Sequence, residues 1–92
     1  MSFQTLKITI SGRVQMVGFR WYAKQHADML GIRGHVRNTS GGRVEILAAG
    51  ETQALETFMD HLRAGPSRAR VDDLKKEESN KKPEQEGFTI TM

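Results

Sequence analysis

The chain has 92 residues, 37% of them hydrophobic and 27% charged, with a formal net charge of +3, which describes one small domain spanning 1–92 and built on a single core. It contains no cysteine, which excludes a disulfide framework, a thiolate metal site and a cysteine nucleophile. No apolar run is long enough to span a bilayer, residues 1–6 lack a signal-like hydrophobic stretch, and the fourteen basic residues are interleaved with acids, so a soluble, cytoplasmic monomer with neither membrane nor nucleic acid as partner is expected.

Leu6, Ile8 and Ile10 alternate with Lys7, Thr9 and Ser11, the period-two signature of a strand with one buried face. After a glycine-bearing turn the period changes: Phe19, Tyr22, Ala23, Ala27 and Leu30 recur at helical spacing, and Gly31 followed by Ile32 predicts a left-handed C-cap with its hydrophobic contact. Residues 34–38 and 43–49 then read as two strands turning through Thr39, Ser40, Gly41 and Gly42. Gly50 ends this hairpin. Leu55, Phe58, Met59 and Leu62 mark a second amphipathic helix, with Thr52 as its expected N-cap and Gly65-Pro66 as its stop. Residues 71–76 are a candidate strand in a polar stretch, whereas Phe88, Ile90 and Met92 alternate clearly and assign the last strand to 88–92. Strand, helix, strand, strand, helix, strand is the split βαβ order, so the expected fold is a ferredoxin-like α+β sandwich, an antiparallel sheet with two helices on one face.

The run Gly12-Arg13-Val14-Gln15-Met16-Val17-Gly18-Phe19-Arg20 joins the first strand to the first helix through a turn that ends in a guanidinium. Backbone N–H groups in such a turn can converge on phosphate oxygens, the start of a helix adds partial positive charge, and Arg20 adds a full one. Without that loop, an arginine at a helix start would be read as a solvent-facing side chain that opposes the helix dipole. Asn38, next to a glycine-rich turn, is by itself a turn former.

The first segment resembles the first signature of the acylphosphatase family, and Gly34-His35-Val36-Arg37-Asn38-Thr39-Ser40-Gly41-Gly42-Arg43-Val44-Glu45 resembles the second, with Gly50 at the expected later glycine. The element order fits that family across nearly the whole chain. The resemblance implies hydrolysis of a small-molecule acyl phosphate to a carboxylate and inorganic phosphate, without metal or cofactor. Arg20 matches the family's phosphate-binding arginine and Asn38 the asparagine that positions water. Gln15, Met16, Val17, Gly18 and Phe19, together with Arg20, match the phosphate loop. Three positions depart from the pattern: Met16 stands where glycine is usual, His35 where an aromatic ring is usual, and Gly41 where aspartate is common. Met16 therefore leaves a second expectation open, a phosphate-binding module whose loop is impaired for turnover.

His26, His35 and His61 lack the i, i+4 spacing of a helical zinc site, and no metal site is expected of them. Trp21 and Tyr22 fall on the first helix and read as packing or helix-surface residues. Sheet-based RNA binders carry their stacking rings on strands, in a Lys/Arg-Gly-aromatic run that this chain lacks.

Overall fold

The computed structural model describes residues 2–83 and 86–91. Seven elements follow one another: β1 (Phe3–Arg13), α1 (Phe19–Leu30), β2 (Arg33–Asn38), β3 (Val44–Glu51), α2 (Thr52–Ala64), β4 (Arg70–Glu78) and β5 (Phe88–Ile90). The strands form one sheet in the order β4-β1-β3-β2-β5. On β1 and β3 the alternating residues Leu6, Ile8, Ile10, Val44, Ile46 and Ala48 are buried, and Ile8 pairs directly with Ile46. Both helices lay their apolar stripes on this face: Phe19, Ala23 and Ala27 from α1, and Leu55, Phe58, Met59 and Leu62 from α2. The core is thus one layer between helices and sheet, the architecture that the two periodicities predict.

The helix ends follow from local chemistry. Ile32 N–H donates to the Ala27 carbonyl at 2.9 Å and Gly31 N–H to that of Asp28 at 3.4 Å, the paired bonds of a Schellman cap with Gly31 left-handed at φ 70°. At α2 the expected cap is displaced by one residue. Glu51, extended at φ −64° and ψ 144°, holds the N-cap position without a side-chain bond, and Thr52 is the first helical residue. The Thr52 amide and hydroxyl both donate to the Ser2 carbonyl, at 2.9 and 3.3 Å, so this threonine ties down the start of β1.

Two expectations about the sheet need correction. The strand that closes the split βαβ motif beside β1 is Arg70–Glu78, longer than the 71–76 expected, and not the C-terminal segment. Its alternation is faint because it is an edge strand: only Val71 and Leu74 pack partly against the core, while Asp72, Asp73, Lys75, Lys76, Glu77 and Glu78 stay exposed. The C-terminal strand covers 88–90 and lies at the opposite edge, parallel to β2, with Gly34 opposite Phe88 and Val36 opposite Ile90. The sheet is therefore mixed and five-stranded rather than antiparallel throughout. Thr91 still donates its N–H to Val36 at 2.9 Å, and Met92, which the expected strand included, lies outside the described residues.

One irregularity matters for the site. The register between β1 and β4 shifts between Ser11 and Gly12, where Gly12 has φ 126° and any Cβ would collide with the Arg70 carbonyl oxygen. This bulge redirects the end of β1 toward the loop ahead of α1.

Candidate functional site

The loop between β1 and α1 is anchored from inside and from the side. Val14 is buried and Val17 packs partly against the core. Gln15 reaches sideways: its Nε2 donates to the carbonyls of Thr39, at 2.8 Å, and Arg43, at 2.9 Å, on either side of the β2–β3 turn. That turn is itself closed by Thr39 N–H to the Arg43 carbonyl (2.9 Å) and Gly42 N–H to the Thr39 carbonyl (3.2 Å). One side-chain amide therefore joins the two segments that the sequence marks for function.

Between those anchors the backbone turns left-handed twice. Met16 has φ 62°, the one positive-φ residue other than glycine among those described, and its side chain is 97% exposed. Gly18, at φ 79° and ψ 16°, holds the N-cap position of α1 and adds no side chain to the opening. Among the described residues, the N–H groups of Met16 through Arg20 donate to no backbone carbonyl. The first turn of α1 also contains no acidic residue, so the positive end of the helix dipole is not neutralised there.

Beside this loop is a cavity of about 170 Å³ lined by Val14, Met16, Gly18, Phe19, Arg20, Trp21, Asn38 and Ile90. Two lining groups lack partners. The half-buried Arg20 guanidinium has no hydrogen bond or ion pair among the described residues, although Arg37, Arg63 and Arg70 are paired with Glu45, Asp60 and Asp72. Asn38 Oδ1 is buried and accepts no hydrogen bond. A buried acceptor without a donor costs on the order of 1–3 kcal/mol, so such an atom marks a place where a water or ligand donor belongs. An anion would satisfy Arg20 and the loop N–H groups, and a water beside it would satisfy Asn38.

Of the seven predicted site residues, Met16, Gly18, Phe19, Arg20 and Asn38 thus line one cavity. Phe19 spends its ring in the core, so its contribution to an anion is its backbone. Gln15 and Val17 do not line the cavity; their side chains hold the loop. Trp21 and Ile90 line it without having been picked out for it by the sequence. Helical periodicity does not place Trp21 at a cavity mouth, and Ile90 arrives there only through the parallel pairing of β5 with β2.

Other candidates carry less. A larger concavity, about 640 Å³, lies on the face of the sheet opposite the helices, where Lys7, Arg43 and Lys75 mix with Asp73 and Glu77. Of its cations only Lys7 has an ion-pair partner among the described residues, Glu45 at 3.6 Å, and no buried, unpaired polar atom lies there. Burial, and then the neighbouring His61, holds the His26 imidazole below its ordinary pKa, and the two rings stack with centroids 4.0 Å apart. No third ligand joins them: among the described residues no group of three His, Cys, Asp or Glu could hold a metal ion.

Comparison with known proteins shows the family and the fold. The acylphosphatase family model matches residues 6–90. The chain is 40% identical to an acylphosphatase of Vibrio vulnificus over 90 residues, covering 98% of this chain and 99% of that protein. It is likewise 40% identical to one of Koribacter versatilis over 87 residues, 95% of this chain and 79% of the relative. The crystal structure of acylphosphatase from Bacillus subtilis superimposes with a TM-score of 0.91 at 35% identity, covering 99% of this chain and all of that one. Sequence, fold and relatives agree: the chain belongs to the acylphosphatase family and is a hydrolase of that family.

Proposed function

We propose that the cavity hydrolyses acyl phosphates by in-line attack of a water positioned by Asn38 on a phosphoryl group held by Arg20 and the loop of residues 15–20. One observation carries this reading: Arg20, whose guanidinium is unpaired, and Asn38, whose amide oxygen is buried and unpaired, line the same small cavity. The acyl phosphate dianion has a good leaving group, because a carboxylic acid has a pKa of roughly 4, so a strong general acid is not needed. Catalysis then consists of holding the phosphoryl oxygens, spreading their charge and aiming the nucleophile. The water oxygen forms a bond to phosphorus while the bond from phosphorus to the acyl oxygen breaks, its electron pair leaving on the carboxylate. Asn38 Oδ1 accepts one O–H of that water and fixes its lone pair toward phosphorus. As a poor base it does not keep the proton, which passes to a phosphate oxygen, giving a carboxylate and dihydrogen phosphate.

Arg20 supplies the positive charge in this scheme, so the reaction proceeds without a metal ion. The same reading takes the enzyme as a cytoplasmic monomer acting on a small molecule, in keeping with a cysteine-free chain and interleaved surface charge. Met16 favours a second reading, a module that binds phosphate without turning it over, because its left-handed backbone stores roughly 1–2 kcal/mol in the loop that must grip the anion. Calorimetric phosphate binding by a protein without turnover would select that reading.

The pure protein should hydrolyse benzoyl phosphate in EDTA, and Arg20→Ala should lose turnover and phosphate inhibition together. Arg20→Lys should recover little, since a point charge cannot span two phosphate oxygens as the planar fork does. No hydrolysis by the unaltered protein, or near-normal activity in either variant, would overturn the assignment.

Asn38→Ala should keep phosphate affinity while kcat falls on the order of 100-fold, by analogy with deleting one preorganised polar group. A matching drop in phosphate binding would show that Asn38 holds the loop and not the water.

Met16→Gly should improve phosphate binding or kcat by about 5- to 30-fold, the equivalent of roughly 1–2 kcal/mol of relieved strain. Glycine's added freedom in the unfolded chain offsets about 0.4–1 kcal/mol of any gain in stability, so kinetics is the cleaner readout. Unchanged or slower kinetics would mean that the strain does not limit the loop.

A further inference from the structure

Five large apolar side chains are exposed among the described residues: Phe3, Met16, Trp21, Met29 and Ile90. Scattered singly they would need no explanation. Three of them, Met16, Trp21 and Ile90, line the cavity that holds Arg20 and Asn38, although they come from a loop, a helix and an edge strand. Trp21 is 58% exposed and Ile90 38%, so each still has apolar surface to cover. Among the described residues Arg20 is the only charged one in the lining, and Val14 and Phe19 extend the apolar wall inward. Once a phosphoryl group occupies the guanidinium, a second anionic group on the substrate would find no cation there. An aryl or branched alkyl group would cover Trp21 and Ile90, removing apolar surface from water on both sides of the contact.

We propose that Trp21 and Ile90 are specificity-determining residues, and that the cavity selects acyl phosphates with an apolar, ring-sized acyl group over those with a small or carboxylate-bearing one. The inference rests on the acyl phosphate reading above and adds the class of acyl group. Met16 shares the rim, but its variants also change the strain of the loop, so it is a poor probe of the apolar wall.

The test separates binding from turnover. Phenacylphosphonate and acetonylphosphonate are non-hydrolysable counterparts of benzoyl and acetyl phosphate, and their affinities can be compared by calorimetry. The aryl compound should bind roughly tenfold tighter or better, the scale set by one added apolar contact in a pocket. In kinetics the same preference should appear mainly in KM, with benzoyl phosphate ahead of acetyl phosphate and succinyl phosphate last. Trp21→Ala and Ile90→Thr, each at an exposed position, should each narrow the aryl advantage several-fold in both assays. Equal affinity for the two phosphonates, or an aryl advantage that survives both substitutions, overturns this inference while leaving hydrolysis intact. Absence of phosphonate binding together with absence of turnover would overturn the acyl phosphate reading and this inference with it.

Discussion

Everything at the cavity depends on the grip of one side-chain amide. Arg20 belongs to α1 and Asn38 to β2, and Gln15 holds the loop ahead of α1 against the turn that follows Asn38. Each such bond contributes about 0.5–1.5 kcal/mol net, so the pair is comparable to the roughly 1–2 kcal/mol of strain at Met16. The clamp can therefore hold a left-handed methionine in a loop that glycine would occupy freely. Val14 and Val17 set the loop's depth by packing inward, and the bulge at Gly12 sets its direction. A small domain can build a site in this way because its rigid layer, β1 and β3 under two helices, bears the conformational cost.

Charge placement follows a similar economy. Arg37, Arg63 and Arg70 lie on the surface with carboxylate partners at 2.7, 3.2 and 2.9 Å, pairs that contribute little to stability in water. The hydrogen bonds from Arg37 and Arg70 hold the Glu45 and Asp72 carboxyls below their ordinary pKa. Among the described residues Arg13, Arg43 and Arg68 also lack a carboxylate partner but are exposed, whereas Arg20 is a half-buried cation without one, at a helix start that has none either. An anion bound there meets a full charge, a helix dipole and free N–H groups in a partly desolvated setting, where each interaction is stronger than on the open surface.

The sequence showed what local periodicity can show. Alternation in Leu6, Ile8 and Ile10, helical spacing from Phe19 to Leu30, and the hairpin around Gly41 and Gly42 all reappear as the elements expected. It could not show which edge the last two strands would take. Arg70–Glu78 pairs with β1 as an exposed edge, so most of its residues face water and the period-two signal fades, whereas Phe88–Ile90 reads clearly yet sits at the far edge in parallel register. The site shows the same division. Arg20 was marked by the strand-turn-helix build and by the family resemblance, Asn38 by the resemblance alone, and the structure brings both to one cavity. The clamp by Gln15, which spans separate segments, and the positions of Trp21 and Ile90 at the mouth depend on tertiary placement that no local pattern encodes. Thr52 makes the point on a smaller scale, because the partner that claims it, the Ser2 carbonyl, is fifty residues away in sequence and reaches it only through the pairing of Phe3 with Glu51.

The central claim is that water attacks phosphorus and not the acyl carbon. Hydrolysis of benzoyl phosphate in water enriched in oxygen-18, followed by mass spectrometry of both products after a single turnover, tests it most directly. An in-line attack guided by Asn38 places the label in inorganic phosphate and leaves the benzoate unlabelled. Label in the benzoate would contradict the account, because it would put the nucleophile at the carbonyl, where a cradle built around the phosphoryl group gives it no guidance.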